Sequence, residues 1–472
     1  MVHQPFPEQY SVLTSNNMTQ DAGTYCGLVV SGVLDVAMLE TKHRELVSLW
    51  PVLGGKLVTT TQPYSFTTGN TVDFGSRQLS CSVYDLHLPN LRDTSSDKPT
   101  YITLNPDVDD LFHYDTIPFF NIVEQLFTLR VTVLNDATLL AFRVPHHFAD
   151  GRSTFDIIEA YCNLISGKPI ARITLPPHVP LSTMVHGRDE LPPSVPANAP
   201  FIHPAENFTT GALSYVSFVG KVIYKVLAPK LGIDEPNEEK YIHLPASFVL
   251  DLQSTSQIQL DQAAKLGELK EGVGLTLTKN DVITAWLLRR SYAHVPADSS
   301  TPFDLIYNFN YRQALIQPEA GTNFIFNGFY NLRAHFTSIG ELKTIPFYRV
   351  ALAIRLCCIR NKQPSAVRTS LEFWEKNRSS RLSLAGPYQL DNLPNVSPWT
   401  TFGYNELDFS SALRYGEKGN GKVVLTVPCS MLPMRMMMKP FIMLMKDGQG
   451  GYWARVNLFK SWWDEVNEAH YM

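Results

Sequence analysis

The residues best suited to chemistry lie in the segment "RVPHHFADGRS" (143–153), where an apolar run ends and a polar one begins. His146 and Asp150 stand four positions apart and Gly151 follows, which gives the pattern HxxxDG. An imidazole suits the removal of a proton from a hydroxyl or an amine, because its ordinary pKa of about 6.5 leaves a nitrogen lone pair available near neutral pH. His146 is therefore the candidate general base.

The role of Asp150 has two interpretations at this stage. The carboxylate could orient the imidazole, or it could turn away and hold the loop through an arginine, which would leave His146 to act alone. The spacing does not separate these geometries. A structural alternative also stays open, in which His146 and His147 end a strand and bond to backbone.

The flanking sequence indicates which elements position this motif. Two β-rich runs around Asn135 and Asp136 predict an antiparallel hairpin whose second strand ends at Pro145. The segment "STFDIIEAYCNLISGK" then has apolar residues at helical spacing, with Ser153 as the predicted N-cap and Gly167 as the predicted stop. The motif thus falls at a strand-loop-helix junction.

At 472 residues the chain is too long for one core, and we expect several packed units. The proline-rich stretch 173–210 favours a connection between two halves. Beyond it, the sequence predicts a helix over 278–294, capped by Thr278 or Asn280, and strands over 303–315, 422–431 and 452–459. The expected division is an N-terminal domain over 1–185, a crossover segment over 186–240 and a C-terminal domain over 241–472.

Composition excludes several classes of protein. A net charge of -4 and a pI of about 6.4, with charges spread along the chain, argue against a nucleic-acid partner. Six cysteines without a CxxC pair disfavour a disulfide framework or a metal site, so free thiols in a reducing compartment are expected. We also expect no bound metal and a monomer.

The chain shows no signal-like N-terminus and no uninterrupted apolar stretch of about 18 residues. The nearest approach is 211–233, where Lys221, Lys225 and Lys230 interrupt the apolar run. This spacing favours an amphipathic helix that packs on the protein over one that contacts a membrane. The expected location is cytoplasmic, with no membrane contact.

Six segments, in chain order, carry a family resemblance: "LVSLWPVLGGKL", "HHFADG", "LTKNDVITAWLLRR", "YNFNYRQ", "FIFNGFYN" and "PWTTFGYNELDFSSALRYG". Together they resemble the BAHD acyltransferase family over nearly the whole length, and more closely its fungal branch that includes trichothecene acetyltransferases. The resemblance implies an α/β fold with two chloramphenicol-acetyltransferase-like domains of mixed sheets and helices. It also implies an active-site channel at the domain interface.

The same resemblance assigns roles to residues. His146 would be the base in the channel, and His147 would occupy a variable position. Asp150 would pair with Arg312 of "NYR", with Gly151 and Asn310 as further structural support of the site. Such a buried carboxylate-guanidinium pair can hold a loop in one conformation.

The second family signature, DFGWG, corresponds here to "DFSSA" (408–412). Asp408 and Phe409 are retained, and Asp408 is expected to support the structure away from the channel. The tryptophan is absent, so Ser410 or Ser411 becomes the candidate donor to an oxyanion. Arg152 is a candidate contact for a phosphate of coenzyme A, with a solvated loop arginine as the more common alternative.

These observations favour acyl transfer from acyl-CoA, as a co-substrate, to a hydroxyl or amine of a small apolar secondary metabolite. One alternative uses an acyl carrier protein as donor, as in condensation domains with an HHxxxDG motif, but only two residues separate His147 from Asp150 here. Another alternative is a cyclase or a binding protein for a reactive intermediate, because one fold hosts unrelated functions.

Overall fold

The structure is a computed structural model of the chain. It describes residues 9–11, 23–61, 63–86, 88, 96–103, 108–112, 124–174, 179–196, 208–210, 212–315, 322–377, 382–384, 393–416, 418–430 and 440–468.

Within these ranges the helices are α1 (Val36–Leu49), α2 (Val108–Phe112), α3 (Gly151–Ile165), α4 (Ala212–Lys230), α5 (Ala246–Lys265), α6 (Lys279–Ser291), α7 (Ile339–Thr344), α8 (Phe347–Asn361), α9 (Pro364–Lys376) and α10 (Lys460–Glu468).

The strands are β1 (Gln9–Ser11), β2 (Gly23–Ser31), β3 (Leu57–Val58), β4 (Ser65–Thr67), β5 (Asp73–Gln78), β6 (Thr100–Thr103), β7 (Thr128–Val133), β8 (Ala137–Pro145), β9 (Arg172–Ile173), β10 (Phe208–Thr210), β11 (Asn237–Leu244), β12 (Phe303–Asn310), β13 (Thr322–Asn323), β14 (Phe329–Phe336), β15 (Leu382–Leu384), β16 (Asn395–Pro398), β17 (Val423–Ser430), β18 (Phe441–Lys446) and β19 (Tyr452–Phe459).

The five-stranded sheet, which we call the N-terminal sheet, has the order β17-β2-β8-β7-β5. The predicted hairpin is present as β7 and β8, and β8 pairs along its whole length with β2, from Gly23 opposite Pro145 to Ser31 opposite Ala137. Nearly every residue of β8 is buried, because α1 and α3 and the rest of the core cover the sheet. Pro145 ends this central strand, and His146 follows it directly.

The seven-stranded sheet, called the C-terminal sheet, has the order β14-β12-β16-β18-β19-β11-β6. Strands β12 and β14 pair antiparallel, with Asn310 opposite Phe329 at one end. This register places the residues that follow β12, including Arg312, beside those that precede β14, including Gly328. A second hydrophobic core packs against this sheet.

Each sheet includes a strand from the other half of the chain. Strand β6 (Thr100–Thr103) pairs with β11 in the C-terminal sheet, and β17 (Val423–Ser430) pairs with β2 in the N-terminal sheet. The sheets therefore do not follow the expected division at residues 185 and 241. An exchanged strand satisfies the backbone groups of a sheet edge, and that edge cannot be assigned from local sequence.

Two helix caps refine the sequence-based expectations. Helix α3 begins at Gly151, and its N-cap is Asp150, whose Oδ1 accepts from the Ser153 N–H at 2.9 Å. The prediction of Ser153 as cap was therefore wrong, because the aspartate one turn earlier already supplies the acceptor. At α6, Thr278 and Asp281 form a reciprocal capping box, which selects Thr278 from the two predicted caps.

Candidate active site

The backbone at His146 is held by contacts from both halves of the chain. The N–H groups of Phe148 and Ala149 donate to the Pro145 carbonyl at 2.9 and 3.2 Å, which tightens the turn after β8. From the loop before β14, Asn327 Nδ2 donates to the His146 carbonyl oxygen at 2.6 Å. The imidazole itself lies 5.2 Å from the Phe329 ring, centroid to centroid.

The electrostatics of His146 keep its ring neutral. The residue is partly exposed, but Nδ1 is buried and has no hydrogen-bond partner among the described residues. Burial lowers the pKa of His146 below its ordinary value, and the negative charge of Asp150 opposes this only in part. At neutral pH the ring is therefore able to accept a proton.

His147 differs from His146 in its surroundings. It is 2% exposed and packs on Tyr64, with ring centroids 5.3 Å apart. Burial, reinforced by the neighbouring His146, lowers the pKa of His147 to about 3. His147 thus lies in packed surroundings, which agrees with its place outside the expected catalytic group.

Asp150 binds Arg312 rather than His146. Its Oδ1 accepts from Arg312 Nη2 and from the Ser153 N–H, both at 2.9 Å, and its Oδ2 accepts from the Gly328 N–H at 2.7 Å. Burial by itself would raise the pKa of Asp150, but Arg312 and the two N–H groups outweigh it, and the pKa lies below its ordinary value. Of the two geometries that the spacing left open, the structure shows the one in which the carboxylate faces an arginine.

Arg312 spreads its donors over several acceptors around the same loop. Besides Asp150, it donates to Ser153 Oγ at 2.6 Å, to the carbonyls of Phe324 and Phe326, and through Nη1 to Asn310 Oδ1 at 3.1 Å. The guanidinium is 14% exposed. Arg312 therefore joins β12, the start of α3 and the loop before β14 into one unit.

Two glycines allow this close approach. A Cβ on Gly328 would lie 2.5 Å from Arg312 Cζ, and a Cβ on Gly151 would lie 2.7 Å from the Trp399 ring. Trp399 in turn donates from Nε1 to Ser397 Oγ at 3.2 Å. Asn327 and Gly328 lie in the segment "FIFNGFYN", and the sequence alone had indicated no role for either residue. The signal that could have identified them is that this segment is one of the six that carry the family resemblance.

A cavity of about 730 Å³ lies between α3 on one side and β12 with residues 398–401 on the other. Arg152, Asn310 and Arg312 lie on its wall, whereas His146 is not among its lining residues. Most of the remaining lining side chains are polar, chiefly Asn280, Asn308, Gln313, Asn323, Thr174, Thr322, Thr400 and Thr401. The interface between the two halves thus contains a cavity with both polar and apolar walls, and the Arg312 side chain that pairs with Asp150 lies on its wall.

Arg152 forms an ion pair on the cavity wall. It lies in the first turn of α3, binds Asp156 at 2.6 Å and packs over the rings of Phe155 and Phe402. Burial raises the pKa of Asp156 to about 6, although Arg152 opposes the shift. Arg152 was a candidate from the sequence, whereas Asp156 was not, because a single acidic residue inside a helix belongs to no motif.

Asp408 and the two serines that follow it lie apart from these contacts. Asp408 pairs with Lys422 at 2.7 Å and accepts from the Ser410 N–H at 2.9 Å, and these contacts lower the pKa of Asp408 to about 2. Ser410 and Ser411 are exposed on a short 3-10 helix and are not among the cavity-lining residues.

No disulfide joins the five cysteines Cys26, Cys81, Cys162, Cys357 and Cys358. Across the residues that the structure describes, no group of three or more His, Cys, Asp or Glu is arranged to hold a metal ion. In the same part of the chain, no helix combines the length and apolar character needed to cross a membrane.

Comparison with known proteins places the fold and the family. The Transferase family matches residues 82–439. The acetyltransferase peniE of Penicillium patulum is 31% identical over 98% of each chain. Among solved structures, TRI101 of F. sporotrichioides complexed with coenzyme A and T-2 superposes with a TM-score of 0.66 at 12% identity, covering 98% of each chain. Vinorine synthase superposes with a TM-score of 0.61 at 12% identity, covering 98% of this chain and 93% of its own.

The matched family, the full-length relative and the shared two-domain architecture agree with one another. The chain therefore belongs to the Transferase family, the BAHD acyltransferases, and is similar to the fungal trichothecene acetyltransferases.

Proposed function

We propose that this chain transfers an acyl group from acyl-CoA to a hydroxyl or an amine of a small apolar secondary metabolite, with His146 as the general base. The observation that carries the proposal is the condition of His146, which is neutral, partly exposed and not bonded to Asp150. Support for the donor comes from TRI101, a structural neighbour complexed with coenzyme A.

In the proposed reaction, His146 uses Nε2, because Nδ1 is buried. Nε2 takes the proton of the acceptor hydroxyl while the oxygen attacks the thioester carbonyl. The resulting tetrahedral oxyanion collapses, the carbon-sulfur bond breaks, and the imidazolium returns the proton to the CoA thiolate. The burial that lowers the pKa of His146 also favours this return, because it disfavours the charged ring.

Asp150 and Arg312 are proposed as positioning residues. Their pair closes the turn between Pro145 and α3 against the loop at Asn327, which in turn holds the His146 carbonyl. A buried charge pair of this kind has one favourable arrangement, since any other leaves a charge without its partner. His146 therefore stays where the surrounding backbone places it.

The cavity beside Arg312 is proposed as the entrance for the acyl-CoA. The amide and hydroxyl groups of a pantetheine arm match the amides and hydroxyls of the wall, and Arg152 supplies a cation for a phosphate. Its ion pair with Asp156 fixes the guanidinium on the wall. Ser410 and Ser411 lie outside this cavity. Their role as hydrogen-bond donors to the oxyanion therefore stays a prediction.

The test is turnover of acetyl-CoA with a panel of small apolar alcohols, followed by mass spectrometry of the products and by release of free thiol. His146→Ala should lower kcat by at least about a hundredfold, which is the usual contribution of a general base. His147→Asn is the matched control, because it alters the adjacent histidine, and its kcat per folded protein should stay within a few-fold of wild type.

Activity that survives in His146→Ala would refute the assignment of the base. Conversion of an alcohol or an intermediate without consumption of acetyl-CoA would instead support the cyclase alternative. If transfer requires an acyl carrier protein, the donor is the carrier-bound thioester instead of acyl-CoA. The proposed role of His146 as general base is then unchanged.

A further inference from the structure

Helix α4 (Ala212–Lys230) and the turn after it present an exposed row of apolar side chains. The row consists of Leu213, Val216, Ile223, Tyr224, Leu227, Leu231 and Ile233, and we call it the apolar stripe. Its members range from 40% exposure at Ile223 to 89% at Leu213. The expectation that this helix packs its apolar surface on the protein therefore does not hold for these seven residues.

The stripe is continuous along one side of the helix. At about 100° per residue, the five members within the helix fall inside an arc of roughly 100°. Fifteen large apolar side chains are exposed among the described residues, and seven of them belong to this stripe. Single exposed apolar residues are ordinary, but a contiguous row of them indicates a binding surface.

The charge of the segment is of one sign. Residues 211–233 contain three lysines and no aspartate or glutamate, and Lys221 is exposed next to the stripe. Each of the acidic residues that follow has a partner: Asp234 accepts from the Glu235 N–H, Glu235 accepts from Ser461, Glu238 pairs with Lys240 and Glu239 pairs with Arg455. The segment that contains the stripe is therefore apolar and basic in sequence.

We propose that the apolar stripe binds the interface of a lipid bilayer that contains anionic phospholipids. The helix would lie in the membrane plane, with the apolar stripe at the boundary of the acyl chains and Lys221 beside the lipid phosphates. Tyr224 suits this depth, because its ring is apolar and its hydroxyl is polar. The helix is not proposed to cross the bilayer, because no helix among the described residues, α4 included, is long and apolar enough to do so.

Charge complementarity selects this occupant over a second copy of the chain. A two-fold contact through the stripe would bring the same basic surface of each copy together, and like charges would oppose it. An anionic bilayer complements both the lysines and the apolar row. The proposal is independent of the acyl transfer reaction, and its test does not measure activity.

The experiment is co-sedimentation of the full chain with vesicles of phosphatidylcholine alone and of phosphatidylcholine mixed with phosphatidylserine. Wild type should bind the mixed vesicles more tightly. The double variant Val216→Ser/Leu227→Ser should lower that binding by about tenfold or more, because two apolar side chains leave the interface. Lys221→Glu should weaken binding about fivefold for each unit of charge changed, with a smaller effect on neutral vesicles.

The matched control is Leu250→Ser/Ile258→Ser on α5, which removes two apolar side chains of similar exposure outside the stripe. This control should bind as wild type does, and all variants should keep the wild-type melting temperature because the altered side chains are exposed. Equal loss of binding in the control, or no sedimentation of wild type with either vesicle, would overturn the proposal. A dimer in light scattering that the stripe variant abolishes, without vesicle binding, would assign the surface to a second copy instead.

Discussion

Asp150→Asn separates a positioning role of the carboxylate from a catalytic one. The change keeps the size of the side chain and one oxygen, but removes the negative charge beside Arg312. It also replaces one acceptor oxygen with an NH₂ group. Because Oδ2 accepts from Gly328 and Oδ1 from Ser153 and Arg312, either amide orientation places a donor against a donor.

The burial of the pair determines the magnitude. The Asp150 side chain is 5% exposed and that of Arg312 is 14% exposed, so the guanidinium that loses its partner stays largely shielded from water. Breaking one partner of such a buried pair costs about 3–5 kcal/mol. For a chain of 472 residues the unfolding entropy is about 1 kcal/mol/K, so we expect the melting temperature to fall by about 3–5 °C.

Circular dichroism melts of wild type and variants measure this effect, with Asp408→Asn as the matched control. Asp408 makes the same kind of contact with Lys422, at 2.7 Å, but its side chain is 38% exposed and that of Lys422 is 48% exposed. Exposed pairs contribute about 0–1 kcal/mol, so the control should melt within about 1 °C of wild type.

The rate of acyl transfer by Asp150→Asn should fall for two reasons. Less of the protein is folded, and residues 146–150 are held less firmly. Equal melting shifts in the two variants would refute the argument that burial makes the Asp150 pair strong. A variant with a native melting temperature and no activity would show that the carboxylate takes part in the chemistry directly.

Three further predictions concern buried groups. Burial lowers the pKa of His43 to about 4, so its contribution of roughly 3 kcal/mol is present above pH 6.5 and is lost as the pH falls to about 4. His43→Phe should remove that dependence in denaturant unfolding across this range, and an unchanged slope would count against it. Burial raises the pKa of Asp156 to about 6, so its contribution is present below about pH 4 and is lost as the pH rises to 6. Asp156→Asn should therefore flatten the fall in unfolding free energy between these values. Gly328→Ala should displace the Arg312 guanidinium and lower the melting temperature, whereas Gly220→Ala, where nothing lies within 4 Å of the new methyl, should not.

Local sequence was sufficient to predict the strand-loop-helix junction in which His146 lies. The hairpin β7–β8, its end at Pro145 and the helix that follows depend on strand alternation, turn residues and helical spacing over about ten residues each. Gly167, at φ +67°, ends the turn after α3 as its position in the sequence predicted. Strand β18 (Phe441–Lys446) was not predicted, because a short buried apolar run lacks the alternation of an exposed strand.

The partners of the site residues were decided by tertiary structure. The sequence, through its family resemblance, could name Arg312 for Asp150, but the two lie 162 positions apart and only their packing shows which way the carboxylate turns. The same holds for the approach of Trp399 to Gly151 and for the exchange of β6 and β17 between the sheets.

The amino-acid sequence by itself determined the kind of residue available for chemistry and the short elements that hold it, since these depend on side-chain type and on neighbours within one or two turns. The tertiary structure decided which groups are buried, which charges pair and which apolar side chains of α4 stay exposed. Burial and pairing depend on segments far apart in the chain, and those segments set the pKa of His146 and the surroundings of its loop.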